Sequence, residues 1–403
     1  NHGFKTHSSI FLLSSLFSLP LAKFNLFHLA PSYIMIFANF ILIKLIFNKD
    51  IKKDYIFIIF LSLSSLLFIN IFFYRLGEHG TDRSAMILII VLLVNCIYFI
   101  NKKTKIIDIN YIKIFSIIFT VIVSLKSLYI IYIIFIIPLI IHMYQTNKSV
   151  NLFFNRSLFY CILLFGFVVV TNFFNTGCFI FPEERTCFFD TSWSLSPNTV
   201  EYLSIHYENW AKAGSGAGYG LKDSDKLNYI SNFNWIQNWL DRYFFNKVSD
   251  LIYSLVFTLM IFVAVFKSSK LTKVYNRRYR LLFLLLSIIF MIWFTLHPLL
   301  RYGGYHLFFL VLFIPISFFL EKFSKDIKNF DHKVLTIVII TAIIFFGRNV
   351  NRLTKEYRVN SYNPFISIDY PLRDESFRIQ KRIKKLINEK KVPKIYKNRY
   401  IFF

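Results

Sequence analysis

The sequence predicts an all-α polytopic membrane protein of about ten transmembrane helices. Three observations carry that expectation. Of its 403 residues, 56% are hydrophobic, and the mean hydropathy is +0.51. The apolar residues gather into ten segments, roughly 26–47, 55–73, 86–100, 112–124, 127–143, 158–170, 251–266, 281–296, 305–320 and 334–347. Basic residues concentrate in alternate loops, which is how a helical membrane protein fixes its orientation. That placement accounts for much of the net charge of +25, and no nucleic-acid-binding module accompanies it.

The elements follow in chain order. The chain begins at Asn1 rather than Met, with no leader-like pattern before the first apolar run, and reads as N-terminally incomplete. His2, Lys5 and His7 form a polar arm. Ile10–Leu21 is apolar, but at about a dozen residues it is too short to span, so it predicts an interfacial or re-entrant helix on the outer face. The run 112–143 would measure about 48 Å as one helix, too long for one crossing. It therefore predicts two short crossings that meet near Lys126, whose side chain either snorkels towards water, the favoured reading, or faces a cavity where it neutralises a phosphate.

Loops 48–54, 101–110, 144–157, 267–280 and 321–333 then share one side and carry 18 Lys/Arg together, against four in the short loops 74–85, 125–126 and 297–304. The positive-inside rule assigns the first set to the cytoplasm. The expected organisation is an N-terminal membrane region 1–170, a large extracytoplasmic loop 171–250, C-terminal membrane helices 251–347 and a basic, extracytoplasmic tail 348–403. In that tail, Ile379, Ile383, Leu386 and Ile387 mark one face of a basic amphipathic helix.

The large loop is net −3, with nine acids against six bases, in a strongly basic chain, and it holds four of the five tryptophans. Cys178 and Cys187 predict a disulfide if the loop lies outside the cytoplasm. Trp193 and Trp210, set among tyrosines and carboxylates, suit sugar stacking and, nearly as well, a membrane-interface helix. The segment Tyr229–Phe245 suits a helix lying on the bilayer. The run Ala213–Gly220 lacks the strand and Lys-Ser/Thr end of a nucleotide loop and reads as a hinge.

Two short motifs share the outer side with this loop. Glu78-His79-Gly80-Thr81-Asp82-Arg83 precedes an apolar helix, with Thr81 or Asp82 as its N-cap. Glu78, His79 and Asp82 are candidate catalytic groups, able to act as a general base or to hold a divalent cation through carboxylates. Arg83 and the outward helix N-terminus suit phosphate. In His297–His306, Arg301 reads equally as a bidentate phosphate binder flanked by Tyr302 and His306, with Gly303-Gly304 permitting close approach of a headgroup, or as a snorkelling Arg in an interfacial aromatic belt.

Many short helices, an acidic cluster in an outer loop, an interfacial helix before the bundle and Arg301-Tyr302 opening a late helix resemble the GT-C class of polyprenyl-phosphate-dependent glycosyltransferases. Thr6-His7-Ser8-Ser9, Gly80–Ser84 and Gly177-Cys178 are also similar to an uncharacterised family of bacterial membrane proteins of GT-C-like organisation. The resemblance spans most of the chain on short motifs. It implies a GT-C-like bundle in the bacterial inner membrane, a polyprenyl-phosphate sugar donor and a glycan or lipid acceptor of the cell envelope. No cofactor beyond a divalent cation is implied, and whether one is needed stays open. The class places its catalytic carboxylate in the first outer loop, near the N-terminus, a loop that reads as incomplete in this chain; Asp82 and Glu78 are the remaining outer carboxylates closest to it in character. O-antigen polymerase or ligase, and a non-enzymatic transporter or flippase, are the alternatives. The paucity of loop arginines, Arg185 and Arg242 only, weighs against the former.

Overall fold

The computed structural model describes residues 8–18, 29–75, 81–102, 109–145, 156–214, 223–267, 279–323 and 327–360. The expectations for Glu78, His79, the N-terminal histidines, most of the glycine run and the basic tail helix lie outside these residues. The described residues are helical throughout, apart from turns and a single β-bridge between Cys178 and Cys187. In order the helices are α1 (Ser9–Ser18), α2 (Leu29–Ile46), α3 (Lys49–Asp54), α4 (Ile56–Phe72), α5 (Thr81–Asn101), α6 (Ile109–Leu125), α7 (Ile136–Gln145), α8 (Arg156–Thr176), α9 (Pro197–Lys212), α10 (Asp223–Ile230), α11 (Ile236–Trp239), α12 (Ser249–Phe266), α13 (Arg280–Leu296), α14 (Gly304–Lys322) and α15 (Phe330–Asn360). A 3₁₀ segment, Ser127–Phe135, leads into α7, and a π-helical stretch, Leu240–Val248, joins α11 to α12.

Among the described residues seven helical stretches have the length and apolarity to cross a membrane: Leu29–Ile46, Asp82–Asn101, Ser127–Gln145, Arg156–Thr176, Ile236–Phe266, Gly304–Lys322 and Phe330–Lys355. Ile56–Phe72, Asn110–Leu125 and Arg280–Leu296 are apolar but shorter. Each predicted apolar segment thus becomes an apolar helix, although three fall below a full bilayer span.

Helix α5 is the axis of the bundle. Its spanning window is 94% buried, because Ala85–Val94 is apolar on every face and helices pack all round it. By contrast α8 and α15 are each 17% buried over theirs and line the outside. Tight aromatic packing joins α4 to α14, with Phe57 stacked on Phe318 and Phe68 on Phe309, each at 4.5 Å.

The chain reverses at Lys126. Ile112 on α6 is buried against Met143 on α7, and Phe99 at the foot of α5 meets both Tyr111 and His142, so both arms return to one end. This is the hairpin predicted from length. Helix α1 docks at the turn: Ser8 Oγ donates to Leu125 O at 2.7 Å, and Ser9 Oγ pairs with Ser124 Oγ at 2.7 Å.

Contacts among the described residues mark two ends of the bundle. At one end Lys52 pairs with Asp331 at 2.6 Å, Lys333 Nζ donates to Val265 O at 2.7 Å, and Tyr279 stacks on Phe318 at 4.1 Å. At the other end Arg348 donates to Ile71 O at 2.6 Å and lies 4.0 Å from the Tyr74 ring. The large loop reaches this second end, where Phe73 packs on Tyr305 and Trp239 Nε1 donates to Pro298 O.

Within 171–250, helix α8 continues to Thr176, α9 and α10 follow, and the long helical stretch that leads into α12 begins at Ile236. One face of Tyr229–Phe245 packs inward: Trp235, Trp239 and Tyr243 are buried in the main core, Trp235 and Trp239 against Phe294, while Phe233 and Phe245 stay exposed. Their spacing of four puts all three on one helical face, and the bundle covers that face.

Candidate functional site

At the large-loop end, three segments meet around one carboxylate. Asp82 stands in the first turn of α5, Lys126 at the hairpin turn, and Arg301 on a short 3₁₀ turn, Leu300–Tyr302, before α14. Lys126 Nζ donates to Asp82 Oδ1, and Arg301 Nε donates to Asp82 Oδ2 at 3.2 Å. The Asp82 and Lys126 side chains are 11% and 16% exposed, whereas Arg301 is 58% exposed. Asp82 and Lys126 therefore form a buried pair with Arg301 as an outer gate.

Lys126 was expected to snorkel and does not. Its ammonium turns inward over Tyr302, 4.4 Å from the ring centroid, and over Tyr129 at 5.8 Å. Burial pulls the Lys126 ammonium below its ordinary value, and the Asp82 carboxylate opposes that fall. Nor is Asp82 a simple cap, since its carboxylate is taken up by the two cations. Arg83 points back, donating to Arg75 O at 2.8 Å.

The turn bearing Arg301 is clamped from several sides. Trp239 Nε1 donates to Pro298 O at 2.8 Å, Trp293 Nε1 to Leu299 O at 3.0 Å, and Leu300 N to Tyr243 Oη at 2.9 Å. Gly303 has φ +134°, a conformation that favours glycine. A Cβ on Gly304 would lie 2.6 Å from Trp293 Cζ2 and 2.9 Å from Leu300 Cδ2. The Gly303-Gly304 pair thus serves packing of the turn, not approach of a headgroup. Gly304→Ala should lower stability by about 1–3 kcal/mol through overpacking and blue- or red-shift Trp293 emission; a variant indistinguishable from wild type in both would contradict the tight contact.

Beneath the triad the buried surface is polar. His306, expected to contact substrate at the surface, is 0% exposed, and its Nε2 is hydrogen-bonded to Tyr132 Oη. Tyr129 Oη, His306 Nδ1 and His297 Nδ1 are buried with no hydrogen-bond partner among the described residues. Orphaned polar atoms at this density mark a place where a polar ligand group or water belongs. Tyr129 sits edge-on to His306 at 5.8 Å, and Tyr302 edge-on to His297 at 5.9 Å, so the orphans surround the triad. Burial first, then Lys126 and Lys212, hold the His297 imidazole down to about 4. Tyr302 is raised, chiefly by burial.

Of the loop aromatics, Trp210 is half-buried against the main core beside His206, at 6.3 Å. Trp193 sits against Phe173 and Phe174 and is not part of the triad's surroundings. Lys212, which sequence reasoning passed over, is 5% exposed, pairs with Glu208 at 2.5 Å and donates to Ile230 O at 3.0 Å. Cys178 and Cys187 form the expected disulfide. Among the described residues no group of three or more His, Cys, Asp or Glu side chains is placed to hold a metal ion.

Fold and site together define a helical membrane protein with a buried carboxylate bridging two cations at one end of its bundle. The chain belongs to the family described as a domain of unknown function (DUF8201), whose model matches residues 3–308, a span that includes Asp82, Lys126 and Arg301. No curated protein and no solved structure matches the chain.

Proposed function

We propose that the protein is a membrane glycosyltransferase that moves a sugar from a polyprenyl-phosphate donor to an envelope glycan or lipid at the outer face of the bacterial inner membrane. The observation that carries this reading is the Lys126–Asp82–Arg301 bridge at the large-loop end of the bundle. The positive-inside rule, applied to the sequence, supports reading that end as the outer one, and the Cys178–Cys187 disulfide fits an oxidising compartment.

The chemistry follows from exchange of partners. A donor phosphate arriving at Arg301 and Lys126 takes over their charge pairing. Asp82 is then released from its two cation partners and its oxygens can accept a proton. The acceptor hydroxyl oxygen attacks the anomeric carbon, and its proton passes to Asp82. The carbon–oxygen bond to phosphate breaks with its electron pair going to the phosphate, whose charge Lys126 and Arg301 stabilise. Tyr129, His297 and His306 supply polar atoms for sugar hydroxyls.

Arg301→Ala, Lys126→Met and Asp82→Asn, assayed in membrane vesicles with a radiolabelled polyprenyl-phosphate sugar, should each lower transfer by about 100-fold or more. Arg301 is exposed enough that its removal leaves the fold intact. Wild-type transfer in all three variants would defeat the assignment.

A transporter or flippase for the same lipid phosphate is the second reading. It is favoured by the 3₁₀ break Ser127–Phe135 inside an apolar span and by the buried Tyr132–His306 couple, features that transporters use near their binding sites. Movement of a fluorescent lipid phosphate across proteoliposomes without chemical conversion would select it.

A further inference from the structure

The loop segment closed by the disulfide has two faces of opposite use. Cys178 and Cys187 lie directly opposite each other, held by Phe179 N donating to Thr186 O at 3.0 Å and Phe188 N donating to Gly177 O at 2.8 Å. Side chains alternate across such a pair. The cystine face is buried in a small core with Phe181, Val200 and Leu203. The next residues, Phe179 and Phe188, project from the other face, meet each other at 5.3 Å, and are 40% and 51% exposed. Gly177, at φ +80°, makes the sharp turn out of α8, and its Cα faces Ser194 so closely that a Cβ would come within 2.5 Å. That turn brings Phe179 and Phe188 against Phe173, at 5.3 and 5.8 Å. Trp193 joins at 6.1 Å from Phe173 and 6.0 Å from Phe174.

The result is an exposed aromatic patch of Phe174, Phe179, Phe188 and Trp193, built on a cross-linked frame. It continues the outer face of α8, where Phe159, Tyr160, Ile162, Leu163, Phe167 and Val170 are all exposed on a helix long and apolar enough to span. Glu183 and Arg185 at the far tip are exposed and charged, which keeps that edge in water. An apolar helix face that runs without a break into a Trp-bearing aromatic patch, with charge beyond it, is the profile of the hydrocarbon, interface and aqueous layers in sequence.

We infer that the Phe174–Phe179–Phe188–Trp193 patch is a lipid-binding wedge seated in the interfacial region of the bilayer, anchoring the disulfide-linked segment to the membrane surface. The patch thereby holds the start of α9, through Val200 and Leu203, at a fixed height above the bundle. Trp193, a sugar-stacking candidate on sequence, becomes a membrane anchor. The inference is independent of the glycosyltransferase reading.

The test is tryptophan quenching in nanodiscs. Trp193 emission is isolated as the difference between wild type and Trp193→Phe, with phosphatidylcholine brominated near the headgroup or deep in the chain, and with aqueous iodide. The expected result is at least a two-fold drop with the shallow bromines, a smaller drop with the deep ones, and weak quenching by iodide. Strong iodide quenching without lipid quenching would overturn the wedge. Protection from both would do so too, and would assign the patch to a second copy or another protein. Phe188→Trp in the Trp193→Phe background should restore the shallow-quenched signal, which guards against a variant that disturbs the frame.

Discussion

Asp82→Asn should destabilise the folded bundle by about 3–5 kcal/mol, because it leaves the Lys126 ammonium buried without its counter-charge. The asymmetry within the triad is the sharper expectation. Lys126→Met keeps Asp82 paired to Arg301 and removes a desolvated charge, so its cost is smaller. Arg301, more than half exposed, can relax into water, and Arg301→Ala should cost least, about 0–1 kcal/mol. The double variant Asp82→Asn/Lys126→Met should recover much of the loss of Asp82→Asn alone. Unfolding in mild detergent, followed by intrinsic fluorescence, ranks the four proteins. An Asp82→Asn variant as stable as wild type would show that Lys126 is not held by that carboxylate. Stability and transfer are thereby separable: Arg301→Ala should fold normally and still fail to hold phosphate.

Acid should weaken the fold through His297. Its folded value of about 4 lies below the ordinary 6.5, because burial and the neighbouring Lys126 and Lys212 disfavour the imidazolium. Between those two values the unfolded chain binds a proton that the native protein refuses. The stabilisation from keeping His297 neutral is therefore complete above about pH 6.5 and is lost as pH falls towards 4, by at most about 3 kcal/mol. His297→Phe should flatten the stability profile in that window relative to wild type. Parallel profiles for the two proteins would remove His297 as the cause.

The helices, the hairpin at Lys126 and the disulfide were legible because each depends on local pattern: apolar length, the length of one apolar run, a cysteine pair. The site was legible only in its parts. Asp82 and Arg301 stood out as charges at helix entries, yet they are 219 positions apart, and nothing local pairs them. Lys126 was visible as a lone cation in an apolar run, but snorkelling and inward pairing share that signature. The choice was made by Asp82, 44 positions earlier. Trp235, Trp239 and Tyr243 were misplaced on a surface for a related reason: an aromatic stripe reads alike whether it meets lipid or protein.

The reversal at Lys126 also bears on the order of synthesis. Asp82 leaves the ribosome first and Lys126 follows with the hairpin, before the C-terminal helices are made. Arg301 comes last of the three, on a turn that Trp239, Tyr243 and Trp293 have already been synthesised to receive. Nascent chains arrested before residue 297 would thus carry the carboxylate and its ammonium but no gate.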